Sequence, residues 1–153
     1  MKITPVTLPI FVQSIEEHAL TKQVILDEIL NTNQQQDTDW FEDFDYRRPY
    51  WEPFLFTIDK YMRNIANHFN ISQFNYDNHW FQKGKMTPYV HGNTHYTNVY
   101  FLDMPNKTKI LNVEVKEGDL LSFPAQLQIE NDSTKTIIGF NISLKGFKTK
   151  KQN

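Results

Sequence analysis

Residues 95–144 read HYTNVYFLDMPNKTKILNVEVKEGDLLSFPAQLQIENDSTKTIIGFNISL, and the fold turns on how this stretch divides. Four apolar runs stand out: HYTNVYFLDM (95–104), KILNVEV (109–115), DLLSFPA (119–125) and TKTIIGFNISL (134–144). MPNK and KEGD supply turn chemistry between them. Alternate residues of a strand share a face, so Ile138, Phe140, Ile142 and Leu144 make one apolar row. Short runs at this regular spacing predict an antiparallel sandwich or barrel.

Upstream of Phe74 the period becomes helical. Phe54, Ile58, Tyr61, Met62, Ile65 and Phe69 form a continuous stripe behind Pro53, a residue favoured in a first turn. Ser14 and Glu17 have capping-box spacing, and Ile15, Ala19, Leu26, Ile29 and Leu30 then predict an earlier helix of about four turns. TLPIFVQSI (7–15) predicts an opening strand, and Phe74, Tyr76 and Trp80 predict another by alternation. Helices followed by strands imply an α+β chain, mainly β, with the helices packed outside the barrel and one domain over 1–153.

The chain is 39% hydrophobic and 14% aromatic, which argues against disorder. A net charge of −2 gives no global field for nucleic acid. There is no cysteine, so thiolate chemistry and disulfides are excluded. No apolar run suits a membrane span and no secretory signal pattern opens the chain, so neither is expected. Charge is uneven, with an acidic aromatic stretch, DTDWFEDFDY (37–46), and a basic tail, LKGFKTKKQN (144–153). Trp40, Phe41, Phe44, Tyr46 and Tyr50 are therefore candidates for a contact surface with a protein partner or a second copy; the other reading folds them back onto the second helix.

His91 and His95 are the candidate metal ligands. Along a strand their spacing is roughly 13 Å, too far to share an ion at bonds of ~2 Å. Only a sharp turn at Gly92-Asn93 would bring the rings together; otherwise they are hydrogen-bonded histidines at strand ends.

NHWFQKGKMTPYVHGNTHYTNVYFLDMP (78–105), VEVKEGDLLSFPAQLQ (113–128) and TKTIIGFNISL, together with TLPIF (7–11) and RRPY (47–50), resemble the 2-oxoglutarate and Fe(II)-dependent oxygenases. The small members carried by marine cyanobacterial phages are the most similar. The resemblance implies a double-stranded β-helix, or jelly roll, with two N-terminal bracing helices. It also implies a histidine with a second ligand two residues on, a later histidine, and a basic residue pairing with the cosubstrate carboxylate.

Carried over, these positions fall on Tyr89, His91, Ile129 and near Thr134. Shifting the alignment to His91-Gly92-Asn93 recovers one histidine and a weak amide donor. After His95 the remaining 58 residues contain neither histidine nor cysteine. The expectation is thus a barrel without its iron site and without a cofactor, a phage-encoded structural or accessory protein of the virion or host cytoplasm, acting by binding or assembly and assigned no catalytic residue. The alternative is an Fe(II)/2-oxoglutarate hydroxylase with displaced ligands. There His91 would act with Asn93 or His95, Glu130 would be the later ligand, and Lys135 and Tyr100 would be cosubstrate contacts. A further reading lines a sugar or small-acid cup with Trp80, Tyr89, Tyr96 and Tyr100.

Overall fold

Residues 96–103 alternate between two apolar environments, so the sheet they form is covered on both faces. The structure is a computed structural model that describes residues 7–32, 37–40, 48–84, 94–127 and 129–147. Its elements are β1 (Phe11–Ser14), α1 (His18–Thr32), α2 (Trp51–His68), β2 (Phe74–Lys83), β3 (Tyr96–Asp103), β4 (Thr108–Ile110), β5 (Val113–Val115), β6 (Asp119–Pro124) and β7 (Thr136–Leu144). A five-stranded antiparallel sheet runs β1-β6-β3-β7-β2, and β4 and β5 pair as a hairpin. The fold is α+β, mainly β, as the alternation implied.

One face of the large sheet carries Tyr96, Tyr100, Leu102, Leu120, Ile138, Phe140, Ile142 and Leu144. These pack on α1 through Ile25 and Ile29, and on α2 through Phe54, Ile58, Met62 and Ile65. The opposite face carries Val99, Phe101, Leu121, Phe123 and Ile137, and it packs on Ile110 and Val115 of the hairpin and on Ile129. Two cores therefore share one sheet.

Two local expectations yield to tertiary contacts. The Ser14–Glu17 capping box does not form: Ser14 closes β1, where its hydroxyl donates to Asp119 Oδ1 at 3.1 Å. The Glu17 carboxylate instead takes an ion pair from Lys60 and a hydrogen bond from the Tyr61 hydroxyl, 3.0 Å long. The start of α1 is thus held by α2 as well as by its own first turn, where the Thr21 N–H and hydroxyl both donate to Glu17 O. On α1 itself, Ile25 and Ile29 are buried while Ala19 and Leu30 are exposed, so the buried stripe is rotated from the one read off the sequence.

In β2 a bulge between Tyr76 and Asn78 breaks the period of two. Phe74 and Tyr76 lie on the helix side with Phe81, and Trp80 is turned to the other face, opposite Gly139. A Cβ at Gly139 would run into the six-membered ring of Trp80. Glycine is required there because the indole lies on the backbone of β7.

Candidate active-site cup and its surroundings

The hairpin-side face, the candidate cup, is packed with side chains among the described residues. Trp80 covers Gly139, and Trp40 meets Trp80 edge-on at 4.7 Å between ring centres. Val99, Phe101, Phe123 and Ile137 continue the packing toward Ile129, which is 9% exposed. Polar groups on this face satisfy one another across three strands. Thr97 Oγ1 donates to Asn141 Oδ1 at 2.7 Å, and Asn141 Nδ2 donates to Asn78 Oδ1 at 2.5 Å.

Lys135 stands at the rim and is 3% exposed. Its Nζ donates to Asn131 and Ser133 of its own loop, and burial pushes the ammonium down to about 8. A lysine bound in this way is committed to the fold.

The other candidates separate. Tyr96 and Tyr100 belong to the helix side, not the cup, because alternation along β3 places them opposite Val99 and Phe101. The Tyr96 hydroxyl donates to Pro9 O at 2.8 Å, and Tyr100 hydrogen-bonds His18 Nδ1. His95 Nδ1 accepts the Leu144 N–H at 2.8 Å, and its ring packs on Phe147, so it serves the entry to β3. Glu130 is exposed next to buried Ile129, as adjacent residues in extended chain face opposite ways. Tyr89, His91 and Asn93, like Phe41, Phe44 and Tyr46, lie outside the described residues.

Tyr50 is not a surface residue: it is 0% exposed and its hydroxyl donates to Asp39 Oδ2 at 2.5 Å. Trp40 is half-buried against Trp80. Asp39 and Tyr50 belong to a buried cluster that sequence reasoning missed. Asp39 also accepts the Phe81 N–H at 2.7 Å and pairs with Arg48 Nε at 3.0 Å, while Arg48 reaches the carbonyls of Asp39 and His79. Burial raises the Asp39 carboxyl against the pull of Tyr50 and Arg48. His79 stacks on Trp51 at 4.1 Å, and burial beside Arg48 pushes its ring down to about 3. The only sequence signal was the pairing of Asp39 in DTDW with Arg48 in RRPY, which no periodicity reveals.

A second cluster ties α1 to the β5–β6 turn. His18 Nε2 pairs with Glu117 Oε2 at 2.9 Å, and Lys22 reaches Glu117 Oε1 at 2.9 Å and Asp103 at 3.2 Å. Burial alone would raise the Glu117 carboxyl, but hydrogen bonds from His18, the Met104 N–H and Lys22 hold it at about 2.

Comparison with solved structures matches this arrangement to the viral collagen prolyl hydroxylase of Paramecium bursaria Chlorella virus-1. A truncated form superposes with a TM-score of 0.62 at 14% identity, over 93% of this chain and 95% of that one. The fold is the oxygenase jelly roll. The same enzyme's 2OG complex superposes with a TM-score of 0.57 at 14% identity, over 89% and 96% of the two chains. No family model and no curated protein matches the sequence. At this identity the likeness is one of fold.

Iron of the kind such a fold implies would find no ligand at one of the carried-over positions. The carried-over later-histidine position is Ile129, an aliphatic side chain with no lone pair, packed among other apolar groups. Among the described residues no three of His, Asp or Glu are grouped to hold a metal.

Proposed function

We propose that this chain is an oxygenase-like jelly roll that has given up its iron site and acts through binding or assembly. The burial of Ile129 in the hairpin-side core carries this reading, because the face that would open onto iron is occupied by side chains. Trp80 seated on Gly139 and Lys135 bound by its own loop support it, since the first fills the cup and the second removes a cation from ligand binding. The absence of histidine and cysteine after His95 supports it from the sequence side.

The outer surface supports a contact role. Phe56 on α2 is 95% exposed and, with Leu55, Glu52, Asp59 and Tyr76, lines an open groove beside the edge strand β2. An exposed phenyl ring beside a groove is a feature of contact surfaces. Among the described residues no helix is long and apolar enough to cross a membrane. The phage resemblance and the viral origin of the matched structure favour a virus-encoded accessory or structural protein, of the virion or of the host cytoplasm.

Two measurements test the proposal together. Purified protein incubated with Fe(II), 2-oxoglutarate, ascorbate and oxygen should release no succinate above a protein-free control. Light scattering and capture with tagged protein from infected cells should give a defined oligomer or a specific partner. Succinate release abolished by chelation, or a strict monomer that captures nothing, would contradict it.

A further inference from the structure

The turn between β6 and β7 encloses a cation of the chain's own. Four oxygens surround Lys135 Nζ: Asn131 Oδ1 at 2.6 Å, Ser133 O at 2.7 Å, Ser133 Oγ at 3.0 Å and Asn131 O at 3.2 Å. All four belong to two residues of one turn, and the lysine itself is buried. The turn is braced independently of the ammonium. Ser133 N–H and Oγ–H donate to Asn131 Oδ1 at 3.0 and 2.6 Å, and Asn131 Nδ2 donates to Thr108 Oγ1 on β4 at 3.2 Å.

An ammonium has three protons to give, so four oxygens outnumber its directional bonds and form a coordination shell. None of the four is a carboxylate oxygen. Uncharged donors at these lengths are poor hosts for Mg²⁺ or Ca²⁺, which take oxygens at roughly 2.0–2.6 Å and favour carboxylates. They suit a large monovalent cation of ammonium size. The shell also joins the start of β7 to β4 through Thr108, so the positive charge stands at a joint between the two sheets.

We infer that the Asn131–Ser133 turn is a monovalent-cation site, filled in the native chain by the Lys135 ammonium and open to free ammonium or potassium once that side chain is truncated. This site is independent of whether the barrel holds iron.

The test compares wild type with Lys135→Ala in ammonium, potassium, sodium and choline chlorides at equal ionic strength, read by thermal unfolding. Wild type should melt alike in all four salts. Lys135→Ala should lose on the order of 10 °C in choline and recover at least half of it in ammonium or potassium, saturably, but not in sodium. Recovery should vanish when Asn131→Ala is added. Equal melting of Lys135→Ala in all four salts would overturn the inference. A second measurement on the native chain covers the case in which the variant does not fold. In a ¹⁵N-lysine correlation spectrum one ammonium signal should persist at neutral pH through protection from exchange and disappear in Asn131→Ala. Its absence from wild type would equally overturn the inference.

Discussion

Phe140 and Gly139 are neighbours on β7 that face opposite worlds. Phe140 points to the helices, where Trp51, Phe54 and Tyr76 meet it edge-on or tilted at 5.5–6.0 Å. Gly139 points to the hairpin side, where its missing side chain is replaced by the ring of Trp80. The helix side is a core supported by two helices, of which α2 is amphipathic while α1 leaves Leu20, Val24 and Leu30 exposed; the hairpin side is packed, among the described residues, by what its own strands and hairpin bring. On the proposed reading, the helix-side core would carry most of the stability, and the hairpin side would need only to stay packed once the chemical site is dropped.

The sharpest way to break this comparison is to remove the helix-side anchor. Phe140→Ala should cost about 3–5 kcal/mol, enough to leave a domain of this size largely unfolded. Urea unfolding followed by circular dichroism would show it, and a cost below that of any cup substitution would reverse the ranking of the two faces. Next in size is Gly139→Ala, which adds one methyl but must displace Trp80. It should cost about 1–3 kcal/mol and shift tryptophan fluorescence, while a neutral result would mean that the indole has room to move.

The acid limb sharpens the contrast by titration. His79 is held neutral in the fold at about 3 and gains its proton near 6.5 when unfolded. Its contribution is therefore whole above pH 6.5 and is lost as pH falls toward 3, at about 1.4 kcal/mol per unit. Glu117, held at about 2 against 4.5, contributes fully above pH 4.5 and is lost as pH falls toward 2. Denaturant midpoints should start to drop just below pH 6.5, and His79→Gln should move that onset to about pH 4.5. An onset unchanged in the variant would show that another group controls it. The smallest effect belongs to the cup itself: Ile129→Val should cost about 0.5–1.5 kcal/mol, the deletion of one buried methyl.

The strands β3, β6 and β7 were legible because their period and turns agreed with burial on both sides of the sheet, whereas KILNVEV, read as one strand, folds back at Leu111 and Asn112, both at positive φ, into the β4–β5 hairpin. The stripe of α2 was legible for the same reason, since Phe54, Ile58, Met62 and Ile65 are buried as spaced. What escaped was set by partners distant in sequence. The bulge in β2 reversed the faces of Phe74 and Trp80, and no local residue announces it. Glu17 had the spacing of a cap but found Lys60 and Tyr61 from another helix. Tyr50 had the look of a contact residue, yet a buried carboxylate, Asp39, drew it inward. At the candidate site, the identity of Ile129 told more than any geometry could: its chemistry was readable before its surroundings were. Lys135 is a cosubstrate contact only under the alternative hydroxylase reading, and the turn that binds it could not be seen without the fold.

Anaerobic equilibrium dialysis of folded, tag-free protein against Fe(II), with and without 2-oxoglutarate, tests the proposed loss of the iron site most directly. Retention should stay at the level of a non-binding control protein, with no visible charge-transfer band when 2-oxoglutarate is present. One iron retained per chain, with such a band appearing on cosubstrate addition, would contradict the account and mark the cup as a working metal centre.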